Sequence, residues 1–223
     1  MILVPIKRLE TAKQRLSPLL SASERFALAE AMLHDVVAAL DACDHRRHVA
    51  LVSGDTRAHR LAQQYGFRII DDYDDPGETG AIEMATRAAI ECGAEFTLVL
   101  PADIPLITAA EVDQIFGAAP REGTVLVSSV SGRGTNAVLQ RPAGLFPLRF
   151  GNDSFVPHLA AARATGKPVE VLQLAGIGVD IDEPSDLADL LEAPGNTSAQ
   201  RLLDQWRIHE RLVAVRLSEE RAS

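Results

Sequence analysis

The sequence predicts a single-domain α/β protein built on a Rossmann-like, mostly parallel sheet. Two observations carry that expectation. Short apolar, β-branched runs recur along the chain, and stretches with helical periodicity separate them. The 223 residues, 47% hydrophobic and 24% charged, are also ordinary for one such domain and suffice for a sizeable core.

Met1 to Ile6 reads as a first buried parallel strand. Lys7 to Leu20 is basic and has no clear period. Ser21 and Glu24 have capping-box spacing, and Phe26, Ala29, Met32, Leu33, Val36, Val37 and Leu40 recur behind them, which predicts a helix over 23–42. His48 to Val52 is a second strand, Thr56 to Tyr65 a short helix and Arg68 to Ile70 a third strand. Asp71 to Gly80 is a loop that opens a helix over 80–92. Phe96 to Leu100 is the strongest strand signal, stopped at Pro101-Ala102-Asp103-Ile104-Pro105 because two prolines prevent sheet or helix from continuing. Thr108 and Glu111 form a second capping box. Val125 to Ser129 and Ala137 to Leu139 read as strands around Gly132-Arg133-Gly134-Thr135-Asn136. Asp153 to Thr165 reads as helix, Val169 to Leu174 as strand, Gly178 to Asp182 as a short strand end, and 184–192 as a final core helix begun by Pro184. The domain so defined is 1–193. Residues 194–223 form a helical extension, with a helix over 198–217 that packs on its own domain or on a partner, and frayed last residues.

Composition excludes some functions. The net charge is −9 and no Lys/Arg cluster forms the basic face that nucleic-acid binding requires. The opening apolar run is too short for a signal peptide or membrane span, so the expected location is cytoplasmic, with no nucleic-acid or membrane partner and a homodimer left open. Cys43 and Cys92 have no metal or disulfide spacing and are read as packed apolar residues; the histidines, His34 and His158 among them, show no metal spacing and are read as surface or core residues.

In open parallel sheets ligands bind at the loops after the carboxyl ends of strands. Asp103 follows the most apolar strand and is held by two rigid prolines, which suits a hard cation such as Mg²⁺ that takes one or two carboxylates plus substrate phosphates. Asp180 and Asp182, in a strand, would point to one face and could meet the same cation; the alternative for Asp182 is a helix cap. Lys7, Arg8, Lys13 and Arg15 follow the first strand, where basic side chains can close over a triphosphate. The turn Gly132–Asn136 and the segment Phe150-Gly151-Asn152-Asp153-Ser154-Phe155 pair glycines with hydroxyl or amide side chains, weak signals for anion binding. There is no Walker A motif, and Gly176-Ile177-Gly178 lacks the rest of a dinucleotide fingerprint.

Five segments, VPIKRLETAKQRLSPLLSASERFALAEAMLHDVV, LPADIPLIT, GTNAVL, FGNDSFVPHLAAA and GVDIDEPSDLADL, lie in the order and spacing of one family. Over roughly 1–192 the chain resembles the CofC/FbiD family, guanylyltransferases of 2-phospho-L-lactate, phosphoenolpyruvate or 3-phospho-D-glycerate in deazaflavin coenzyme F-420 biosynthesis. The resemblance implies a glycosyltransferase-A-type nucleotidyltransferase fold, GTP as donor, a small phospho-acid as acceptor, Mg²⁺ as cofactor and pyrophosphate as by-product. Carried over by motif, Asp103, Asp180 and Asp182 would hold the metal, Thr135 and Asn136 with Gly151 and Ser154 the acceptor, and Lys13 and Arg15, with Lys7, the triphosphate. Family members often carry a segment like GLNAAL where this chain has Gly77-Glu78-Thr79-Gly80-Ala81-Ile82, so Glu78 and Thr79 are candidate nucleotide contacts where the pattern departs. The rival readings are another nucleotidyltransferase on the same fold (a cytidylyltransferase, or a molybdenum-cofactor-type guanylyltransferase) and a GTP-binding regulator without turnover.

Overall fold

The computed structural model describes residues 1–72, 77–151 and 153–214. Among the described residues seven strands form one sheet: β1 (Ile2–Pro5), β2 (Val49–Val52), β3 (Arg68–Ile70), β4 (Thr97–Val99), β5 (Gly123–Ser128), β6 (Thr135–Arg141) and β7 (Val169–Leu172), in the order β3-β2-β1-β4-β6-β5-β7. Only β6 runs against its neighbours, pairing antiparallel with β4 and β5. The sheet is therefore mostly parallel, as its apolar strands foretold.

Helices cover both faces, because alternate strand residues bury on opposite sides. Ile2 and Val4 of β1 share a core with α1 (Ala22–Ala42), α2 (Thr56–Tyr65), α4 (Ala109–Ala118), α6 (Pro184–Glu192) and α7 (Ser198–Gln205). Met1 and Leu3 face the other way, onto α3 (Gly77–Glu91) and α5 (Phe155–Ala164). Among the described residues no helix is long and apolar enough to cross a membrane.

The capping boxes at Ser21/Glu24 and Thr108/Glu111 both form and set where α1 and α4 begin. Other expectations need correction. Residues 7–20, which show no clear period, carry two 3-10 turns, Leu9–Thr11 and Gln14–Leu16. The helix expected over 80–92 already starts at Gly77, whose positive φ of 78° suits the entry. The helix expected from Asp153 starts at Phe155. Residues 178–182 form no strand, since two isolated backbone bonds, Val130 N–H to Gly178 O and Ile181 N–H to Asp103 O, go to different segments and make no ladder. The expected 198–217 helix breaks at Trp206 and Arg207, where Arg207 takes φ 54°, then resumes over 208–214. Ala199, Leu203 and Ile208 are wholly buried, so this tail packs on its own domain. The frayed end assigned to the last residues lies outside the described residues. Cys43 is buried as expected, but Cys92 is exposed at the end of α3.

The strand order reverses between β1 and β4, and the loops after both strands open on the same side, the switch point at which such sheets bind ligands.

Candidate active site

A cleft of about 870 Å³ opens over that switch point. Lys7, Arg8, Lys13 and Arg15 stand on one wall, Pro101 to Asp103 form the floor, Asn136 and Thr135 with Gly151, Asp153 and Ser154 the far end, and Gly178, Asp180 and Asp182 the remaining side.

Lys13 is the centre of the charge. It starts the second 3-10 turn in the left-handed region, at φ 55°, a position that costs a non-glycine residue about 1–2 kcal/mol. Ion pairs hold it there: its side chain is 7% exposed, and Nζ donates to Asp103 Oδ2 at 2.6 Å and Asp182 Oδ1 at 2.8 Å. Burial opposes the ammonium charge, but the Asp103 and Asp182 carboxylates outweigh it and raise its pKa. For Asp182, burial pushes the pKa up, yet the charge and hydrogen bond of Lys13, with Arg15 and Lys7 behind, bring it below the ordinary value. Asp180 goes the other way. Burial raises its pKa, the like charges of Asp103 and Asp182 add to this, and a hydrogen bond from Asn136 only partly offsets it.

The two acidic stretches meet through the backbone as well as the side chains. Ile181 N–H donates to Asp103 O at 3.1 Å. Asn136 Nδ2 donates to Ile177 O at 2.9 Å and Asp180 Oδ1 at 3.0 Å, which ties β6 to the 176–182 segment. The approach depends on Gly176, where an added Cβ would collide with the Leu106 carbonyl and the Glu111 carboxylate.

The shared-face argument for Asp180 and Asp182 fails because no strand forms there. The two carboxylates line one cleft but answer to different partners, Asn136 and Lys13. Nor does Asp182 cap a helix: Glu183 is the N-cap of α6, and the Asp186 carboxylate takes the Asp182 and Glu183 N–H groups at 2.8 and 2.7 Å.

Among the described residues no group of three or more His, Cys, Asp or Glu is arranged to hold a metal ion unaided. The donor set nonetheless suits a hard cation that takes part of its shell from phosphates: Lys13 uses Oδ2 of Asp103 and Oδ1 of Asp182, leaving a second oxygen on each, and the ammonium marks a place where positive charge is stabilised.

Lys7 and Arg15 stand at the rim, exposed, paired with Glu78 at 2.9 Å and Glu183 at 3.5 Å; Arg8 also lines the cleft. Glu78 lines the cleft, whereas Thr79 is half-buried on α3 and not part of its wall. Thr135, Asn136, Gly151 and Ser154 meet at the far end. Asn152 lies outside the described residues. Two participants were not anticipated. Gly176 lies in no dinucleotide pattern, and His158 has no metal spacing. His158 follows Ser154 by four residues, a spacing that puts both on one helical face, and its ring reaches Thr135.

This fold is shared with a protein assigned as a nucleotide-diphospho-sugar transferase from Desulfovibrio desulfuricans G20 (TM-score 0.72, 18% identity, 96% of each chain covered). It is shared also with a cytidylyltransferase from Leptospira borgpetersenii serovar Hardjo-bovis (TM-score 0.57, 11% identity, 95% of this chain and 94% of that one). Acidic and basic side chains gather at the switch point of this shared fold, and the family match and the sequence relatives give the class, that of the nucleotidyltransferases. The family model described as "Guanylyl transferase CofC like" matches residues 1–218, past the point near 192 where the motif resemblance ends. Sequence relatives include a phosphoenolpyruvate guanylyltransferase of Roseiflexus castenholzii, 40% identical over 92% of this chain and 93% of its own. A 2-phospho-L-lactate guanylyltransferase of Methanothermobacter thermautotrophicus is 34% identical over 92% and 90%, and a 3-phospho-D-glycerate guanylyltransferase of Phenylobacterium zucineum 32% identical over 88% and 93%. The chain belongs to the CofC-like guanylyl transferase family.

Proposed function

We propose that the chain transfers the guanylyl group of GTP to a small phosphorylated acid, releasing pyrophosphate, as a cytoplasmic step of deazaflavin coenzyme F-420 biosynthesis. The candidate acceptors are 2-phospho-L-lactate, phosphoenolpyruvate and 3-phospho-D-glycerate, the acids for which its relatives are named. The observation that carries the reading is the buried Lys13 bridging Asp103 and Asp182 in the same cleft whose far end holds Thr135 and Ser154.

In this reading an oxygen of the acceptor phosphate attacks the α-phosphorus of GTP. A new P–O–P bond forms, the bond between Pα and its bridging oxygen to Pβ breaks, and pyrophosphate leaves with that electron pair. The attacking oxygen is already anionic at neutral pH, so no general base is needed and positioning with charge neutralisation carries the catalysis. Lys13 and the rim residues Lys7 and Arg15 offer the triphosphate positive charge. Asp103 and Asp182, with Asp180 beside them, would hold Mg²⁺, which supplies further neutralisation of phosphate charge when bound. Glu78 supports a nucleotide contact by its place on the cleft wall.

The test is mass spectrometry of products formed from GTP with the three phospho-acids in competition, with ATP, CTP and UTP in parallel. A guanylyl diphosphodiester of one acid, with pyrophosphate, is expected. Turnover of another nucleotide in preference to GTP, or none with any acid, overturns the proposal.

A further inference from the structure

Behind the far end of the cleft lies a hydrogen-bonded chain whose polarity can be read off atom by atom. Arg149 N–H donates to His158 Nε2 at 3.0 Å. A backbone amide only donates, so Nε2 carries no proton and the neutral ring holds its proton on Nδ1. The surroundings favour that neutral form: His158 is 2% exposed, burial pulls its pKa down to about 4, and Phe150 packs edge-on at 5.0 Å. Nδ1 lies 3.0 Å from Thr135 Oγ1 and must donate to it. Ser154 Oγ accepts from Thr135 N–H at 3.1 Å and donates its own proton to Thr135 Oγ1 at 3.3 Å.

Thr135 Oγ1 thus receives two hydrogen bonds, which occupies both lone pairs, and its one remaining capacity is to donate. Thr135 and Ser154 line the cleft, whereas His158 does not. We infer that His158 is a positioning residue that fixes the Thr135 hydroxyl as an obligate donor, so that this end of the cleft selects an acceptor-only oxygen, a carboxylate or phosphate of the phospho-acid, over a hydroxyl or amide. The inference rests on the proposed guanylyl transfer for its ligand. A hydroxyl free to turn would serve a donor or an acceptor alike; pinned, it favours the anion and leaves a donor group unpaired.

The test uses the full chain and two variants. His158→Phe keeps a buried ring against Phe150 and removes the donor. His158→Asn keeps an amide N–H near the place of Nδ1. Circular dichroism melts establish that each variant folds. The expected result for His158→Phe is a KM for the phospho-acid raised about tenfold or more, as for loss of a hydrogen bond to a charged group, with KM for GTP and kcat within about twofold of wild type. His158→Asn should recover most of the loss. Equal damage to both substrates, unchanged acceptor KM in the Phe variant, or no recovery in the Asn variant overturns the inference. Calorimetric binding of phosphoenolpyruvate, 2-phospholactate and 3-phosphoglycerate reads the same effect without turnover. Weakened binding in the Phe variant of a chain that turns over no phospho-acid overturns the proposed function and supports the role of His158. Turnover with binding unaltered in the Phe variant overturns that role alone.

Discussion

Lys13 shows how one side chain can be strained, buried and charged at once. Its backbone occupies a left-handed position and its ammonium is stabilised by Asp103 and Asp182. Lys13→Met removes the bridging charge and leaves two carboxylates facing each other, so kcat/KM should fall about 10²–10³-fold, as when one preorganised charge-stabilising group is lost. Steady-state kinetics with GTP checks this, and near-normal turnover would remove Lys13 from the chemistry. The sequence showed Lys13 as one of four basic residues after the first strand; its pairing with two acids far along the chain depends on three loops meeting, which no local pattern encodes. His158 permits a pH prediction. Its pKa is about 4 in the fold against an ordinary 6.5, so the unfolded chain binds the extra proton over that window. This contribution to stability is complete above pH 6.5 and is lost as pH falls towards 4, by up to about 3 kcal/mol. Denaturant unfolding across pH 7 to 4 should show a steeper decline for wild type than for His158→Phe. Parallel curves would mean that the ring takes up a proton while buried.

At the scale of elements, what the sequence displayed clearly was whatever is written locally. Both capping boxes, the Pro-bounded end of β4 and the helical period of α1 appear within a few residues and set their boundaries. What it displayed poorly was set by contacts distant in the chain. The 178–182 segment looks like a strand end, but its bonds go to the Asp103 loop and to Val130. Gly176→Ala tests that arrangement: a methyl there meets Leu106 O, so the loops must separate and Asp180 and Asp182 must move relative to Asp103. Stability should fall by about 1–3 kcal/mol and turnover by a larger factor than the melting shift accounts for. Activity retained at temperatures where the variant is fully folded would show that the separation does not reach the carboxylates. The C-terminal helix gives a control of opposite character. The Asp35 carboxylate on α1 accepts from Ser198 and Ala199 N–H at 2.7 and 2.9 Å, closing the start of α7 with residues that do not line the cleft. Asp35→Ala should cost about 1–2 kcal/mol in chemical denaturation with kcat unchanged. A change in kcat would show that this helix communicates with the site.

For the whole molecule, the question is how an acidic protein of net charge −9 would admit the triphosphate proposed for it. The cleft's cations are paired internally, with Lys13 inside the acidic pair and Lys7 and Arg15 at the rim held by Glu78 and Glu183. Each of these cations is committed to a carboxylate in the free protein, so a triphosphate has to draw it away and leave that carboxylate uncompensated. A divalent cation alone would meet the opposite obstacle, since Lys13 already holds one oxygen of Asp103 and one of Asp182 and offsets half of their joint charge. Arriving together they would resolve both: the cation would take the carboxylates while the phosphates take the ammonium. Metal and nucleotide should therefore bind with positive coupling, of the order of 1–3 kcal/mol. Thermal melts make this visible because a ligand stabilises in proportion to how tightly it holds the folded state, and 1 kcal/mol corresponds to roughly 2–4 °C for a chain of this size. Millimolar Mg²⁺ alone, or GTP with chelator, should each shift Tm by no more than about 1 °C, and the two together by clearly more than the sum. In Lys13→Met the acidic pair has lost its internal cation, so Mg²⁺ alone should now stabilise the variant more than it does wild type. A wild-type response to Mg²⁺ that matches the variant's and ignores GTP would show that the lysine does not stand between the cation and its carboxylates.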